Sequence, residues 1–534
     1  MFKQYHSKLH VLDRMMLSFN KPRARVDVRQ LCLLFMLVLC GCRQPDPLAE
    51  SNDDTPHPAA TVTSIDQWEQ IRMFGQSAGY SHYTCTMIRD DRFPQHNQVV
   101  QYSRNIVLSL RRFGQSTDQQ IRYTSWETRD GQLLAVRSEM QTGSQNLIND
   151  GVIADGQLVI SSNQLPSSEK RMAWPPEALS YFGVEQSLIQ QPLEANEQRG
   201  LIILQPIDHS LAEVTLTAQD LEQLDIQHQP VSVRRVRMST RLPNGQEIES
   251  LVWVNSQGII VRSETAGQVF EVTDSETAIR SGQQRADITS NITIPSSPIA
   301  NPDETRRIRY RMNLDTATNH APFPASRFQQ VTQLSDRSFE IVVTESKSFW
   351  HTNQSKPQED VLLPAEISAS LESNQIITSD AAEVQSLAQQ IDQTAVTPAA
   401  IAVACEQLVF DTVDEKNFST AFATAAEVAR SKSGDCTEHA VLLAALCRTQ
   451  NVPARVALGL IYVPATQEFA YHMWTEVYVQ STWAPLDATK AQSGTSACYI
   501  KIADASFDDG SPLQALLPVA KILGHVTLEV VEID

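Results

Sequence analysis

From about Ile65 to Ser290, apolar and polar residues alternate in short runs separated by turn residues, as in Asn105 to Leu110 and Leu251 to Arg262. A period of two marks half-buried strands, so this stretch predicts a meandering antiparallel sheet. A faint repeat runs through it. Trp126 with Asp130-Gly131 and then Val136-Arg137-Ser138-Glu139 recurs as Trp253 with Gln257-Gly258 and Val261-Arg262-Ser263-Glu264. Each copy reads as a hairpin whose glycine supplies the turn. Leu211 to Leu224 is expected to interrupt the strands as a helix laid across one face. The prolines at 295, 298 and 302 mark Thr293 to Asp303 as a linker. Beyond it, Arg306 to Asn313 and Ser338 to Thr344 alternate again, like strands of another small sheet.

The pattern then changes to helical. Ser379 to Asp392, Pro398 to Phe410 with Thr397 as cap, and Ala421 to Lys432 lead into a helix whose start is written in Ser433-Gly434-Asp435-Cys436-Thr437-Glu438-His439. Asp435 is a good N-cap, and Glu438, three residues on, completes a capping box ahead of the apolar run Ala440 to Leu446. Asn451 and Pro453 end this helix, and Arg455 to Val463 reads as a strand. Two further extended runs, Tyr471 to Val479 and Thr482 to Thr489, flank the polar pair Gln480-Ser481. With those two as a hairpin loop, Val479 pairs with Thr482 and Asp487 falls opposite Trp474. His472 and Asp487 then share one face as diagonal neighbours, with Cβ atoms roughly 7–8 Å apart.

This placement carries chemistry. Cys436 sits in the first helical turn, where unpaired N–H groups and the helix dipole favour thiolate over thiol and can receive an oxyanion. The string Gly434-Asp435-Cys436-Thr437-Glu438-His439-Ala440, the turn Pro453-Ala454-Arg455, His472-x-Trp474-x-Glu476 and Leu486-Asp487-Ala488-Thr489 resemble the core of the bacterial transglutaminase-like superfamily. Looser similarity to bacterial members reaches from about Ser379 to about Ala503. The resemblance implies an α+β protein with a papain-like core at the C-terminus, preceded by antiparallel β-rich domains. It further implies Cys436 as nucleophile, His472 as general base and acid, and Asp487 as the group that orients the imidazole.

In such a site the thiolate attacks an amide carbonyl of a peptide or protein and His472 returns the proton to the departing amine. Water then resolves the thioester in a protease or amidase, and an amine resolves it in a cross-linking transglutaminase. Hydrolysis is the first reading and amine transfer the second; a catalytically idle envelope binding module is the third. Each residue also has a plainer explanation. Cys405 and Cys447 read as buried free thiols, Trp474, Trp483 and Tyr478 as packing, and Arg455 and Glu476 as structural polar groups. Cys436 and His439 have a spacing that can share one ion, but no paired Cys-x-x-Cys or His-x-x-x-His accompanies them, so no metal and no cofactor are expected.

The N-terminus adds a destination. Residues 1–41 hold seven basic and two acidic residues ahead of the apolar run Leu31 to Leu39, the layout of a secretory signal. That run is short against the roughly 20 residues a membrane span needs. Its end, Leu39-Cys40-Gly41-Cys42, resembles a lipobox, which implies a lipid anchor on Cys42 and a location on the periplasmic side of the bacterial envelope. Of eight cysteines, Cys85, Cys405, Cys436, Cys447 and Cys498 would then remain. An odd number is consistent with one free thiol, and Cys436 and Cys447 lie too far apart along one helix to be bridged. Removing the signal, net +5, takes the formal charge from −19 to about −24, which excludes nucleic acid as a natural partner. The predicted organisation is therefore a signal (1–41), a linker (42–63), a β-rich domain with possible duplication (64–292), a small β region (304–364) and the catalytic domain (365–534).

Overall fold

The computed structural model describes residues 64–534 apart from 113–114, 143–144, 164–168, 207–208, 244, 290–291, 316, 319–320, 356–362, 415–422, 508–517, 520–521 and 523–524. The signal, the linker and Cys42 lie outside the described residues.

The alternating residues after Ile65 form a 16-stranded sheet in which consecutive strands are mostly antiparallel neighbours. Its first strand, Ile65–Met73, lies at the centre, paired with Gln76–Ile88 on one side and with Gln268–Thr273 on the other. The two tryptophan hairpins sit in opposite halves, with Trp126 facing Ala135 and Trp253 facing Arg262. Gly131 and Gly258 supply their turns at φ of +83° and +79°.

Leu211–Ile226 is a strand, not the expected helix. Ala212, Val214, Leu216 and Ala218 are buried while Glu213 and Thr215 are exposed, so the period is two. The β-branched residues at 214, 215 and 217 favour that form. Leu221, whose spacing from Leu224 imitates a helical face, is in fact 62% exposed.

A polar row crosses the buried face of this sheet. Gln67, Tyr83, Arg104, Tyr123, Ser138, Asn149 and Ser162 stand opposite one another on seven successive strands, and all are buried. Phe182, just before the helix Gly183–Gln190, stacks on Tyr83, Tyr102 and Tyr123. A slip of one residue in any of these pairings would turn that strand's member outward, so the row holds the register.

Downstream, Arg307–Leu314 is the centre of a four-stranded sheet, with Ser338–Thr344 on one side and the C-terminal strand Val526–Ile533 on the other. The proline-rich stretch expected as a linker is partly ordered as a strand. Thr293–Pro295 pairs with Glu468–Ala470, and Ile292 O accepts the Tyr471 N–H at 3.3 Å. A proline is tolerated there because the strand lies at a sheet edge.

The C-terminal half joins helices to a five-stranded sheet. Glu468–Val479 pairs with Ala454–Val463 and Thr482–Leu486 as well as with Thr293–Pro295, and Tyr499–Ala505 completes the order beside Ala454–Val463. Cys436–Thr449 is buried at every position from Thr437 to Arg448, and from Ala440 to Cys447 it is apolar on every side, as suits a helix enclosed by other elements. Thr475 Oγ1 ties it to the sheet by donating to Ala440 O at 2.9 Å. Around it pack Ala382–Ala388, shorter than the expected Ser379–Asp392, together with Pro398–Thr412 and Ala425–Ser431. Pro398 opens its helix and the Thr397 hydroxyl accepts the Ala400 N–H at 3.1 Å.

Candidate active site

The start of the Cys436 helix is built by reciprocal capping. The Asp435 side chain accepts the Thr437 N–H at 2.9 Å, and Glu438 Oε2 accepts the Asp435 N–H at 2.9 Å. Glu438 Oε1 also accepts the Ala423 N–H at 3.2 Å, which fastens the preceding segment to the helix. Glu438 is fully buried, and burial raises its carboxyl well above the usual range. Gly434 is needed because a Cβ there would lie 2.3 Å from Glu438 Cβ. The outcome is a partly accessible Cys436 in the first turn.

The hairpin brings up the other two groups. Gln480 and Ser481 both take positive φ, +49° and +57°, so the two-residue loop has the twist that keeps adjacent strands together. Val479 faces Thr482, and pairing runs to Thr475 with Leu486. Asp487 lies one residue past the ladder. From there its Oδ2 reaches His472 Nε2 at 2.8 Å, with His472 8% and Asp487 2% exposed. Nδ1 is the ring nitrogen that Asp487 does not engage.

Burial opposes a charged imidazole, but the Asp487 carboxylate and a side-chain hydrogen bond with Cys436 outweigh it and raise His472 to about 10. Burial likewise works against ionised Asp487. His472, Tyr499 and Thr489 prevail and hold it well below the usual carboxylate range. The two shifts agree: the pair is charged at neutral pH.

Four hydrogen bonds converge on the Asp487 carboxylate. Oδ2 accepts from His472 and from Tyr499 Oη at 2.6 Å. Oδ1 accepts from Thr489 N at 2.9 Å and Thr489 Oγ1 at 2.7 Å. The Asp-x-Thr turn was visible in the sequence, since Asp side chains commonly bond their own backbone two residues on. Tyr499 had no such signal, because it comes from a strand beyond the motif. Trp350 was equally hidden: its Nε1 donates to Pro485 O at 2.8 Å from the helix Lys347–Asn353.

The neighbouring residues divide by face. Trp474 is 3% exposed, stacks at 6.2 Å from the His472 ring and meets Tyr499 edge-on. Gly459 makes room, since a Cβ would lie 2.7 Å from the Trp474 ring. Glu476 belongs to an ion-pair cluster. Arg455 bonds Glu476 and Asp504 at 2.8 and 2.6 Å, and Lys501 bonds the same two carboxylates at 2.6 and 2.7 Å. Arg455 also lies over Trp483. His439, once a conceivable ligand, places Nδ1 2.6 Å from Asp435 O within its own helix. Among the described residues no group of three or more His, Cys, Asp or Glu side chains is arranged to hold a metal. Among the described residues, Cys85, Cys405, Cys436, Cys447 and Cys498 form no disulfide.

Known proteins match parts of this chain. The sequence pattern of the transglutaminase-like superfamily matches residues 385–488, a span that includes Cys436, His472 and Asp487. No curated protein matches. Among solved structures, a protein proposed to be a cysteine protease from Cytophaga hutchinsonii is 15% identical, with 42% of this chain and 86% of that one covered at a TM-score of 0.29. A β-barrel-like protein of a domain of unknown function from Brucella abortus is 8% identical, covering 40% and 97% at 0.31. The periplasmic domain of TgpA from Pseudomonas aeruginosa, bound to ethylmercury, is 16% identical, covering 35% and 91% at 0.23.

Proposed function

We propose that residues 385–488, as a transglutaminase-like domain, carry a thiol enzyme that attacks peptide or glutamine-type amide bonds, with hydrolysis as the principal outcome. The observation that carries this reading is a buried imidazole with a carboxylate on one ring nitrogen at 2.8 Å, held charged by that carboxylate and by the neighbouring Cys436. In the first step the Cys436 thiolate adds to the carbonyl carbon, and the Cys436 N–H, the first-turn amide that Asp435 does not take up, stabilises the developing oxyanion. His472 then delivers its proton to the leaving amine, and Asp487 keeps the ring oriented and stabilises its charged form. A water molecule enters, gives a proton to His472 and cleaves the thioester to an acid and free Cys436.

The same reading places the enzyme outside the inner membrane on a lipid anchor at Cys42. The basic leader, the apolar run and Cys42 support that placement. The test is dimethylated casein offered together with a labelled primary amine, using the full chain and Cys436→Ala. Peptide fragments or ammonia that vanish in the variant are the expected result, and label on casein would point to amine transfer. Iodoacetamide that fails to modify Cys436 in folded protein would overturn the enzyme reading and leave a binding module.

A further inference from the structure

The helix Pro398–Thr412 buries Ala399, Ala402, Cys405, Glu406 and Val409. Glu406 is a charged residue inside an otherwise apolar stripe, and it is 1% exposed. A buried carboxylate in such a position is costly unless it is fully hydrogen-bonded. Its partners are not on its own helix. Oε1 accepts the backbone N–H of Asp487 at 3.0 Å and Oε2 accepts the backbone N–H of Ser493 at 2.9 Å. One carboxylate thus holds both ends of the turn that carries Asp487.

Side chains of the turn are tied elsewhere, Lys490 to Asp303 at 2.5 Å and Gln492 to Lys347 at 2.7 Å, whereas Glu406 takes hold of its backbone at Asp487 and Ser493. Lys490 and Ala491 bond back to Asp487 O, which closes the loop on itself without orienting it toward His472. Ala491, Ser493 and Gly494 all take positive φ, so the chain is bent into a conformation that external contacts must maintain. Trp350 holds Pro485 from one direction, and Glu406 holds Asp487 from another.

We propose that Glu406 is a positioning residue of the active site, which orients the Asp487 turn so that Oδ2 meets His472. This rests on the reading of Cys436, His472 and Asp487 as the catalytic groups. Glu406 touches none of the reacting atoms and acts through the Asp487 backbone. Burial pushes it up to about 8 against the backbone N–H bonds from Asp487, Ser493 and Gly494, with the Asp487 carboxylate adding to the rise.

The experiment uses the full chain and needs no natural substrate. Glu406→Gln keeps size but leaves one of the two amides facing an NH2 group, and Val409→Ala perturbs the same buried helix face without touching the turn. Two readouts are followed: the rate of Cys436 alkylation by iodoacetamide, and the downfield resonance of the His472 ring proton bonded to Asp487. Glu406→Gln should lower the alkylation rate about tenfold, the value of one hydrogen bond to a charged group, and broaden or abolish the resonance. Val409→Ala should leave both unchanged at a comparable loss of melting temperature. Wild-type behaviour in Glu406→Gln, or equal changes in Val409→Ala, would overturn the assignment. Glu406→Asp, too short to span both amides, serves if the glutamine variant does not fold. His472→Ala separates the two levels of the claim. A wild-type alkylation rate there sinks the catalytic reading itself, whereas a slowed rate there with a normal Glu406→Gln sinks only the role of Glu406.

Discussion

Asp487→Asn keeps the shape of the orienting side chain and removes its charge. In the wild type His472 is raised from 6.5 to about 10, which at 1.36 kcal/mol per pH unit corresponds to roughly 5 kcal/mol in favour of the charged ring. Without the carboxylate, burial is opposed by Cys436 alone, and His472 should titrate well below its wild-type value. The sign follows from linkage. A raised histidine contributes stability that is complete below the unfolded value near 6.5 and is lost as pH rises through about 10. A lowered Asp487 contributes stability present above roughly 3.9 and lost as pH falls toward its folded value. The stability difference between wild type and Asp487→Asn should therefore be largest near pH 5–6, shrink steadily from 6.5 to 10, and fade below 4. Urea unfolding across that range measures it, and NMR titration of the His472 ring reports the shift directly. Amide cleavage should fall on the order of 10³–10⁴-fold, as when the orienting aspartate of a serine triad is neutralised. An unchanged His472 titration, or a rate within about threefold of wild type, would refute the reasoning.

Tyr499→Phe removes one of the two donors to Asp487 Oδ2 while His472 still occupies that oxygen, so a loss near the low end, about 1.5 kcal/mol, and a rate reduced about tenfold are expected in urea unfolding and steady-state kinetics. Gly434→Ala drives a methyl group into the Glu438 side chain; it should cost about 1–3 kcal/mol and slow Cys436 alkylation, because the cap that positions the cysteine cannot form. Trp350→Phe leaves Pro485 O without its indole donor and should destabilise by about 1–3 kcal/mol, with activity falling in parallel although residue 350 lies outside the matched span. Full stability in Trp350→Phe would show that this support is dispensable.

Local signals were strong wherever a side chain satisfies its own neighbourhood. The capping box at Asp435 and Glu438, Thr397 before Pro398, and the Gln480-Ser481 loop are all encoded within a few residues, and the structure forms each of them. The strand Leu211–Ile226 was misread because leucines at helical spacing near its end masked the period of two ahead of them. Tyr499, Trp350 and Glu406 were not legible for a different reason. Each contacts the turn from a distant element, and nothing in a single sequence reports which buried polar groups converge. Glu406 alone left a trace, a carboxylate on the apolar stripe through Ala402 and Val409. The same limit hid the return of Val526–Ile533 to the strand Arg307–Leu314, since pairing across two hundred residues has no local cost to advertise.

The short strand Thr293–Pro295 has a practical consequence for dissection of the protein. Its ladder, with the Ile292 O to Tyr471 N bond, ends one residue before His472. An expression boundary drawn after the last proline of that stretch would strip the strand that carries the imidazole of its neighbour and bare a row of amides beside the reactive pocket. Fragments begun there invite edge-to-edge self-association, and a weak or aggregated product would report on the cut rather than on the candidate site.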